Sequence, residues 1–267
     1  MGEEGPKGKG KKKGKEGKKG LDKPQIGAVV YAATRNLYKH LPGAVASLLE
    51  YNDPERVYLL IEDDALPAEF SVPDCCVCIN ALPLRDKYVD PNGVNRHGMF
   101  SWQALLRVAY GEIFSEDIIL SLDVDTIVCD SLLPIFEADL TDKWFAMVRE
   151  KEVPQYRRQA YYPKYATYCN CGVCLFNLKQ IRADNMFPVF YNMINTVRMD
   201  YCEQDTFNNF GMMHDKIVFL PLRYNNCIGC GYCERPAIQH YAGVMNKWEP
   251  GANFYRKEYM TKWHKYL

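Results

Sequence analysis

Two carboxylates separated by one residue mark the place where this chain could do chemistry. Asp123 and Asp125 directly follow an apolar run, Ile118–Leu122, that contains β-branched residues. Alternate residues at the end of a strand point the same way, so both carboxylates can face one ion. Oxygen ligands of this kind suit hard divalent cations such as Mg²⁺ and Mn²⁺. Two acids that only make turn or cap hydrogen bonds at a solvated strand end are the alternative that this pair leaves open.

The apolar patterns around this pair predict an α/β fold. The run Ile118–Leu122 has the pattern of a strand that is buried on both faces. Earlier strand patterns at 26–33 and 56–61 flank a helical spacing over 37–50, and such short alternating units indicate a parallel sheet with covering helices. Ligands of open α/β sheets bind outside the carboxyl ends of the strands, where Asp123 and Asp125 are expected.

The remaining elements are predicted from the same periodicities. Strands are expected at 75–79, 144–148, 171–177, 217–220 and 237–241, with the last two closing the sheet. Helices are expected at 99–114, 131–137, 186–197 and 203–210. Two polar, turn-rich or aromatic segments, 83–98 and 150–168, are predicted to be loops, the first of them mobile. The first strand is not followed by Gly-x-Gly-x-x-Gly, which disfavours a dinucleotide site of the dehydrogenase type.

Composition bounds the function classes. The 267 residues, 48% of them apolar, suffice for one large α/β domain or two small ones. Acidic and basic residues balance at 33 each, so no global field draws the protein to nucleic acid. No run approaches the roughly 18–20 apolar residues of a membrane-spanning helix, and no hydrophobic segment follows the basic N-terminus as in a secretory signal. Eleven cysteines, an odd number in a chain of this size, indicate free thiols and a cytoplasmic location.

Three segments are predicted from the local composition. Residues 1–24 form a Gly/Lys-rich tail that cannot bury enough apolar surface to become ordered. Its three-residue glycine period is similar to collagen, but one proline and few triplets do not support a triple helix. Residues 25–250 form the folded domain. Residues 251–267 mix aromatic and basic side chains, which suits either peripheral contact with a membrane surface or a final helix packed on the domain.

Three cysteines late in the chain have the spacing of a metal site. Cys227, Cys230 and Cys233 follow the Cys-x-x-Cys-x-x-Cys pattern of zinc and iron–sulfur ligands. A fourth ligand would have to come from elsewhere, such as Cys75, Cys76 or Cys78. A cysteine-rich loop without a metal is the other interpretation, and a structural zinc is expected if a metal binds.

Six short motifs follow one another along the chain. They are Ala32-Ala33-Thr34-Arg35-Asn36, Arg107 with Tyr110-Gly111-Glu112, Leu122-Asp123-Val124-Asp125, Asn170-Cys171-Gly172-Val173, Glu203-Gln204-Asp205, and His240-Tyr241-Ala242-Gly243 with Lys247-Trp248. Their residue types and order resemble those of the family 8 retaining glycosyltransferases, the group that includes glycogenin and bacterial lipooligosaccharide galactosyltransferases. The resemblance covers roughly residues 26–248.

The resemblance implies a fold and a reaction. The fold would be a single α/β domain of the GT-A type, with a mixed, mostly parallel sheet flanked by helices. The protein would be a hexosyltransferase that moves a sugar from UDP-glucose or UDP-galactose to a glycan, lipid-linked or protein acceptor. A divalent ion would stabilise the charge that develops on the leaving diphosphate. Carboxylate and imidazole ligands together favour Mn²⁺, with Mg²⁺ as the other candidate.

The resemblance also implies roles for individual residues. His240 would join Asp123 and Asp125 as the third protein ligand of the metal. The nucleotide sugar would be held by Ala32, Thr34, Asn36, Arg107, Asp123, Val124, Gly243 and Lys247. Asn170, Gln204 and Asp205 would act at the sugar end, beside Glu203, with Gln204 beneath the anomeric carbon. Retention through a covalent intermediate needs a carboxylate nucleophile, and glutamine is a poor nucleophile, so front-side attack through an ion-pair-like state stays open as well.

Four positions depart from the family pattern. Cys171 replaces Ala or Ser, Glu203 replaces the usual Asp, Lys247 stands one residue late, and Thr34 stands where an acid is common. Three other functions stay open from the sequence. One is a glycogenin-like protein that glucosylates one of its own nineteen tyrosines. The others are a non-catalytic nucleotide-sugar or glycan-binding module and a scaffold built around the cysteine cluster.

Overall fold

The fold is seen in a computed structural model that describes residues 1–2, 23–98, 100–151, 167–243, 247 and 265. Three predicted segments therefore lie largely outside the described residues. They are the basic tail 1–24, the loop 150–168 and the C-terminal segment 251–267.

A mixed β-sheet forms the centre of the fold. In chain order the strands are β1 (Gln25–Ile26), β2 (Ala28–Ala32), β3 (Asp53–Pro54), β4 (Val57–Ile61), β5 (Cys76–Asn80), β6 (Ile118–Leu122), β7 (Thr126–Val128), β8 (Phe145–Arg149), β9 (Cys169–Asn177), β10 (Ile217–Leu220) and β11 (Ile238–His240). Seven of them pair in the order β10-β8-β9-β6-β2-β4-β5. Strand β9 is antiparallel to β6 and β8, and the other pairings in this sheet are parallel. The prediction of a mixed, mostly parallel sheet is confirmed.

Helices cover the sheet. They are α1 (Leu41–Tyr51), α2 (Ala81–Tyr88), α3 (Trp102–Leu105), α4 (Tyr110–Ile113), α5 (Leu133–Phe136), α6 (Leu178–Ala183), α7 (Phe187–Thr196) and α8 (Cys202–Met213). Turns of 3₁₀ helix occupy Arg35–His40, Leu106–Ala109 and Leu222–Tyr224. Within the part of the chain that the structure describes, no helix is both long and apolar enough to cross a membrane.

The sheet carries an apolar core on each face. Val29 and Tyr31 of β2 belong to one cluster of buried side chains, whereas Ala28 and Val30 belong to another. Successive side chains of a strand point to opposite faces, so β2 is buried on both. Strand β6 is also buried on both faces, as its largely apolar run predicts.

Two predicted helices are divided in the structure. The helix expected over 37–50 is a 3₁₀ turn, Arg35–His40, followed by α1, because Pro42 stands in the first turn of α1 and cannot donate a hydrogen bond to the preceding turn. The helix expected over 99–114 is α3, a 3₁₀ turn and α4. The N–H of Leu106 bonds to the carbonyl of Gln103, and this tighter winding begins the 3₁₀ turn.

The loop predicted over 83–98 is wrong in its first part. Residues 81–88 form helix α2, whose N-cap Asn80 accepts a hydrogen bond from the N–H of Leu82 at 3.0 Å. Pro83 lies in the first turn, where the missing N–H costs nothing. A proline and a polar composition therefore concealed a capped helix.

The prediction that 237–241 closes the central sheet is also wrong. Strand β11 instead pairs antiparallel with β7, the short strand after the two aspartates, in a separate two-stranded sheet. His240 lies opposite Thr126, and the N–H of Tyr241 bonds to the carbonyl of Asp125 at 2.9 Å. This pairing brings the end of β11 to the carboxyl end of β6.

Candidate active site

Two acidic side chains and one imidazole converge where β6 and β11 end. One ligand atom from each of Asp123, Asp125 and His240 lies within 4.8 Å of the other two. The Nε2 atom of His240 is 3.3 Å from Asp125 Oδ1 and 3.5 Å from Asp123 Oδ2. This nitrogen is buried and makes no aligned hydrogen bond. A buried, unsatisfied nitrogen aimed between two carboxylates fits a divalent cation.

Electrostatic interactions hold this triad in its charged form. Burial raises the pKa of Asp123, but the nearby Arg107 and His240 outweigh that effect and hold it well below its usual value. Burial likewise opposes ionisation of Asp125, yet His240 and Lys247 leave its pKa lowered. The pKa of His240 is raised well above its usual value, because the two carboxylates outweigh the effect of burial. A bound cation would take the place of that proton, so metal binding at these residues would release a proton.

Gly172 of β9 lies directly against the triad. A Cβ atom at this position would be 2.1 Å from Cε1 of His240 and 2.8 Å from Oδ2 of Asp123. The carbonyl of Gly172 accepts a hydrogen bond from the N–H of Asp123 at 2.8 Å. The β6–β9 pairing thus sets the backbone too close to the ligands for any side chain, which is a physical reason for the glycine.

A cavity of about 590 Å³ opens beside the triad. Many of the predicted site residues line it, namely Ala32, Arg107, Asp123, Val124, Asp125, Asn170, Gln204, His240, Gly243 and Lys247. Other lining residues are Leu37, Phe100, Ser101, Gln103, Ala104, Gly172, Tyr201, Glu203 and Ala242. Gly172 and Glu203 belong to the recognised motifs, whereas side chains such as Leu37, Phe100 and Tyr201 carry no signal in the sequence. Apolar and aromatic walls with a few convergent polar groups are typical of small-molecule sites.

Three predicted site residues do not line this cavity. The Thr34 hydroxyl donates to Oδ1 of Asn36 at 2.5 Å, near the start of the first 3₁₀ turn. Asp205 is only 2% exposed. Its carboxylate accepts hydrogen bonds from the Tyr168 hydroxyl and from the N–H of Tyr201. Asp205 is therefore placed to organise the wall of the cavity.

Arg107 connects the metal end of the cavity to the helix that follows Tyr201. Its guanidinium donates to Asp123 and, at 3.1 Å, to Oε1 of Glu203. Only 8% of Arg107 is exposed. Burial raises the pKa of Glu203 to about 7, although the charge of Arg107 opposes this. One buried cation thus balances two carboxylates that belong to different elements.

The amide side chains at the other end of the cavity are held by several partners. Gln204 Oε1 accepts from the N–H of Cys171 at 2.9 Å, and its Nε2 donates to the Tyr168 hydroxyl at 3.2 Å. Oε1 of Glu150 lies 3.5 Å from the amide nitrogens of Asn170 and Gln204. Sequence reasoning missed Glu150, although an acid that directly follows a strand of an α/β sheet is a signal that could have found it.

Lys247 and Gly243 complete the described part of the cavity near Asp125. The ammonium of Lys247 donates to the Asp125 carboxylate and, at 3.2 Å, to the carbonyl of Tyr241. Gly243 has φ +73°, and among the described residues no atom lies within 4 Å of the position that a Cβ would occupy. Glycine is therefore favoured here by the backbone conformation and leaves the adjoining space open.

The cysteine cluster has no third ligand near enough to form a metal site among the described residues. The one group with metal-ligand spacing found there is the Asp123, Asp125 and His240 triad. Cys227 and Cys230 are buried, and a hydrogen bond from Cys230 lowers the pKa of Cys227 to about 4. The zinc site and the metal-free loop therefore both stay predictions for this segment.

Comparisons with solved structures bear on the fold. Crystal structures of LgtC superpose with TM-scores of 0.67. One is a complex with donor and acceptor sugar analogues, 22% identical over 90% of this chain and 96% of that chain. The other is an active-site mutant, 21% identical over 89% and 95%. Mouse xyloside xylosyltransferase 1 gives a TM-score of 0.62 at 18% identity, over 82% and 98%. At these identities the likeness shows the fold, which is that of GT-A enzymes.

The sequence comparisons show the family. A Haemophilus influenzae protein named "Putative glycosyltransferase" is 29% identical over 110 residues, which are 39% of this chain. The match spans about a third of that relative, 32% of its length. The family model described as "Glycosyl transferase family 8" matches residues 28–250. Because this match covers most of the chain, the protein belongs to glycosyl transferase family 8.

Proposed function

We propose that this protein transfers a hexose from UDP-glucose or UDP-galactose to a glycan, lipid-linked or protein acceptor, with a divalent metal ion. The observation that carries the proposal is the convergence of Asp123, Asp125 and His240 on the wall of a cavity of about 590 Å³. Family membership supports glycosyl transfer as the reaction class.

The ligand set supports a divalent ion at the triad. Asp123, Asp125 and His240 would hold it, and two carboxylates with one imidazole suit Mn²⁺, with Mg²⁺ as the alternative. When bound, the ion would supply Lewis-acid stabilisation of the negative charge on the departing diphosphate. Lys247 places a further cation next to Asp125. Gly243 leaves room for a phosphate to approach the backbone.

Other residues of the chain would orient the donor and exclude water from it. Arg107 is buried and fixed by two carboxylates, so it presents an oriented charge at no cost in reorganisation. Leu37 and Ala32 supply apolar wall. We assign Asn170 and Gln204 to the sugar end, where their amides are fixed by hydrogen bonds from the backbone of β9.

The carboxylates around the cavity support front-side attack. Besides Asp123 and Asp125, the described cavity lining contains one carboxylate, Glu203, which is paired with Arg107; Glu150 does not line the cavity, and its Oε1 lies 3.5 Å from the amide nitrogens of Asn170 and Gln204. The Gln204 oxygen already accepts a backbone hydrogen bond. We therefore infer that the acceptor hydroxyl enters on the face from which UDP departs, with retention of configuration. Nuclear magnetic resonance of the first-formed product would report the anomeric configuration, and an inverted product would contradict this assignment.

The test is UDP release from a panel of UDP-sugars in Mn²⁺, in Mg²⁺ and after treatment with EDTA. We expect turnover of one hexose donor that is lost in EDTA and in Asp125→Asn. The matched control is Asp117→Asn, because Asp117 lies at the opposite end of β6, is exposed and only pairs with Lys179 and Arg182. Equal activity in EDTA and metal would contradict the metal assignment.

The same preparation separates the other candidate functions. Binding of UDP with Mn²⁺ but no turnover with any donor or acceptor would support a non-catalytic binding module. Hexose-sized mass increments on the protein without an added acceptor would support self-glycosylation. The odd number of cysteines, eleven in a chain of 267 residues, supports a cytoplasmic location, which we also propose.

A further inference from the structure

A buried asparagine outside all the recognised motifs links the two ends of the cavity. Asn225 follows the 3₁₀ turn Leu222–Tyr224 and is 0% exposed. Its Oδ1 lies 2.8 Å from Nδ1 of His240. Its Nδ2 donates to Oδ1 of Asn170 at 2.9 Å. Asn225 therefore bridges a metal ligand and a residue assigned to the sugar end.

The direction of these hydrogen bonds is set by the backbone of β9. The N–H of Gly172 donates to the Asn170 side chain at 3.0 Å, and a backbone N–H can only donate, so the atom that it meets is the amide oxygen. That oxygen can only accept, so Asn225 presents its NH₂ group to Asn170. The oxygen of Asn225 then faces His240, and Nδ1 of the ring must be the donor.

This direction has a consequence for metal binding. A neutral imidazole with its proton on Nδ1 carries its lone pair on Nε2. Nε2 is the atom that faces the carboxylates of Asp123 and Asp125. We propose that Asn225 is a positioning residue that fixes the tautomer and ring orientation of His240 for metal binding. This proposal rests on the proposed metal-dependent function. The direction of the hydrogen bonds that it uses is set by the Gly172 N–H, which can only donate.

Other contacts of the His240 ring do not supply the same constraint. Cys227 also interacts with the ring, and since its pKa is lowered to about 4 its sulfur accepts rather than donates, so it does not oppose a donating Nδ1; no fixed backbone donor sets its direction as the Gly172 N–H does for Asn225. Gly172 limits the space around Cε1 without bonding to the ring. Among the described residues, Asn225 is the one that places an oxygen acceptor at hydrogen-bond distance from Nδ1, at 2.8 Å.

The test compares three full-length variants by direct Mn²⁺ titration, read from the paramagnetic resonance signal of free Mn²⁺. We expect Asn225→Ala to weaken Mn²⁺ binding by about 10- to 100-fold, the usual effect of losing the partner of a metal-ligating histidine. Asn225→Asp still accepts from Nδ1 but loses the donor to Asn170, so its Mn²⁺ affinity should stay within about tenfold of the wild type. The control is Asn226→Ala, because Asn226 is equally buried and its side chain bonds to Gln239 and Cys233; its backbone carbonyl, which accepts from the N–H of His240 at 3.1 Å, is kept in this variant.

A second readout distinguishes positioning from general loosening of the fold. In protein labelled with ¹⁵N-histidine and loaded with diamagnetic Mg²⁺, His240 should show a protonated Nδ1 in the wild type and in Asn225→Asp. Asn225→Ala should move this resonance toward the other tautomer. Thermal unfolding checks that each variant is folded.

Three results would overturn the proposal. They are wild-type affinity in Asn225→Ala, equal weakening in Asn226→Ala, and a loss of about tenfold or more in a folded Asn225→Asp. If Asn225→Ala does not fold, the Mn²⁺ affinities of Asn225→Asp and Asn226→Ala still test the proposal. A wild-type protein that binds no Mn²⁺ or Mg²⁺ would instead refute the metal dependence in the proposed function, and this proposal would fall with it.

Discussion

Replacing Gly172 with alanine should separate His240 from the other two metal ligands. The added Cβ would lie 2.1 Å from Cε1 and 2.8 Å from Nδ1 of His240. To restore even a 3.0 Å contact, the ring must move by roughly 1 Å, because the backbone of Gly172 is held by β6. Metal–ligand distances tolerate only about 0.2 Å. We therefore expect His240 to be lost as a ligand.

The predicted magnitude has two parts. Overpacking a well-packed site costs about 1–3 kcal/mol of folding free energy, which a urea titration would measure. The loss of ring orientation should weaken Mn²⁺ binding by at least about 10- to 100-fold, as for loss of a supporting hydrogen bond. Both effects should appear in one protein, since one displaced ring causes both.

Gly111→Ala is the matched control. Its Cβ would meet Arg182 and Ile181 at 3.5 and 3.6 Å, which are ordinary contacts, and Gly111 lies in helix α4, where alanine is the better helix former. We expect wild-type Mn²⁺ affinity and equal or higher stability. If Gly172→Ala binds Mn²⁺ as tightly as Gly111→Ala does, the close approach of β9 to the triad is not what requires a glycine.

Two further predictions concern the buried ion pairs of Arg107. Arg107→Met should lower the free energy of unfolding by about 3 kcal/mol in a urea titration, because it leaves Glu203 and Asp123 without their buried cation. The control Arg35→Met removes an exposed pair with Asp63 and should cost less than about 1 kcal/mol. Equal losses of stability in the two variants would contradict this reasoning. The pKa of Glu203 is raised from 4.5 to about 7 by burial, so its contribution to stability is present below pH 4.5 and is lost as the pH rises to about 7. The stability of Glu203→Gln relative to the wild type, measured by thermal unfolding, should therefore rise between pH 4.5 and about 7, by at most about 3 kcal/mol. A stability difference that does not change with pH would show that Glu203 does not titrate in this range.

Much of the fold could be predicted from the sequence because its central strands are buried on both faces. The run before Asp123 is apolar apart from Ser121, and the structure has a strand over Ile118–Leu122. The strand Ile217–Leu220 is also predicted correctly, because all four of its residues are apolar, although it is an edge strand on which Phe219 is exposed. Such runs leave few alternatives, since a buried segment of five residues bounded by polar ones is too short for a helix that spans a core.

The position of His240 could not be predicted in the same way. Its strand has three residues and pairs with Thr126–Val128, more than a hundred residues away. Periodicity identifies a strand but not its partner, so the residues 237–241 were assigned to the wrong sheet. The resemblance to a family supplied the residue type, and only the β7–β11 pairing explains how the imidazole reaches the aspartates.

The groups that support the ligands were harder still to find, because their signal lies in contacts between loops. Asn225 contacts a side chain 55 positions earlier, and Tyr168 contacts one 36 positions later. Gly172 shows why these contacts nevertheless form one unit. Its carbonyl holds the N–H of Asp123, and its N–H orients Asn170, which in turn orients Asn225. A single backbone unit of β9 therefore constrains the first metal ligand directly and the third through two amides, so changes at 172 and at 225 should perturb the same ring.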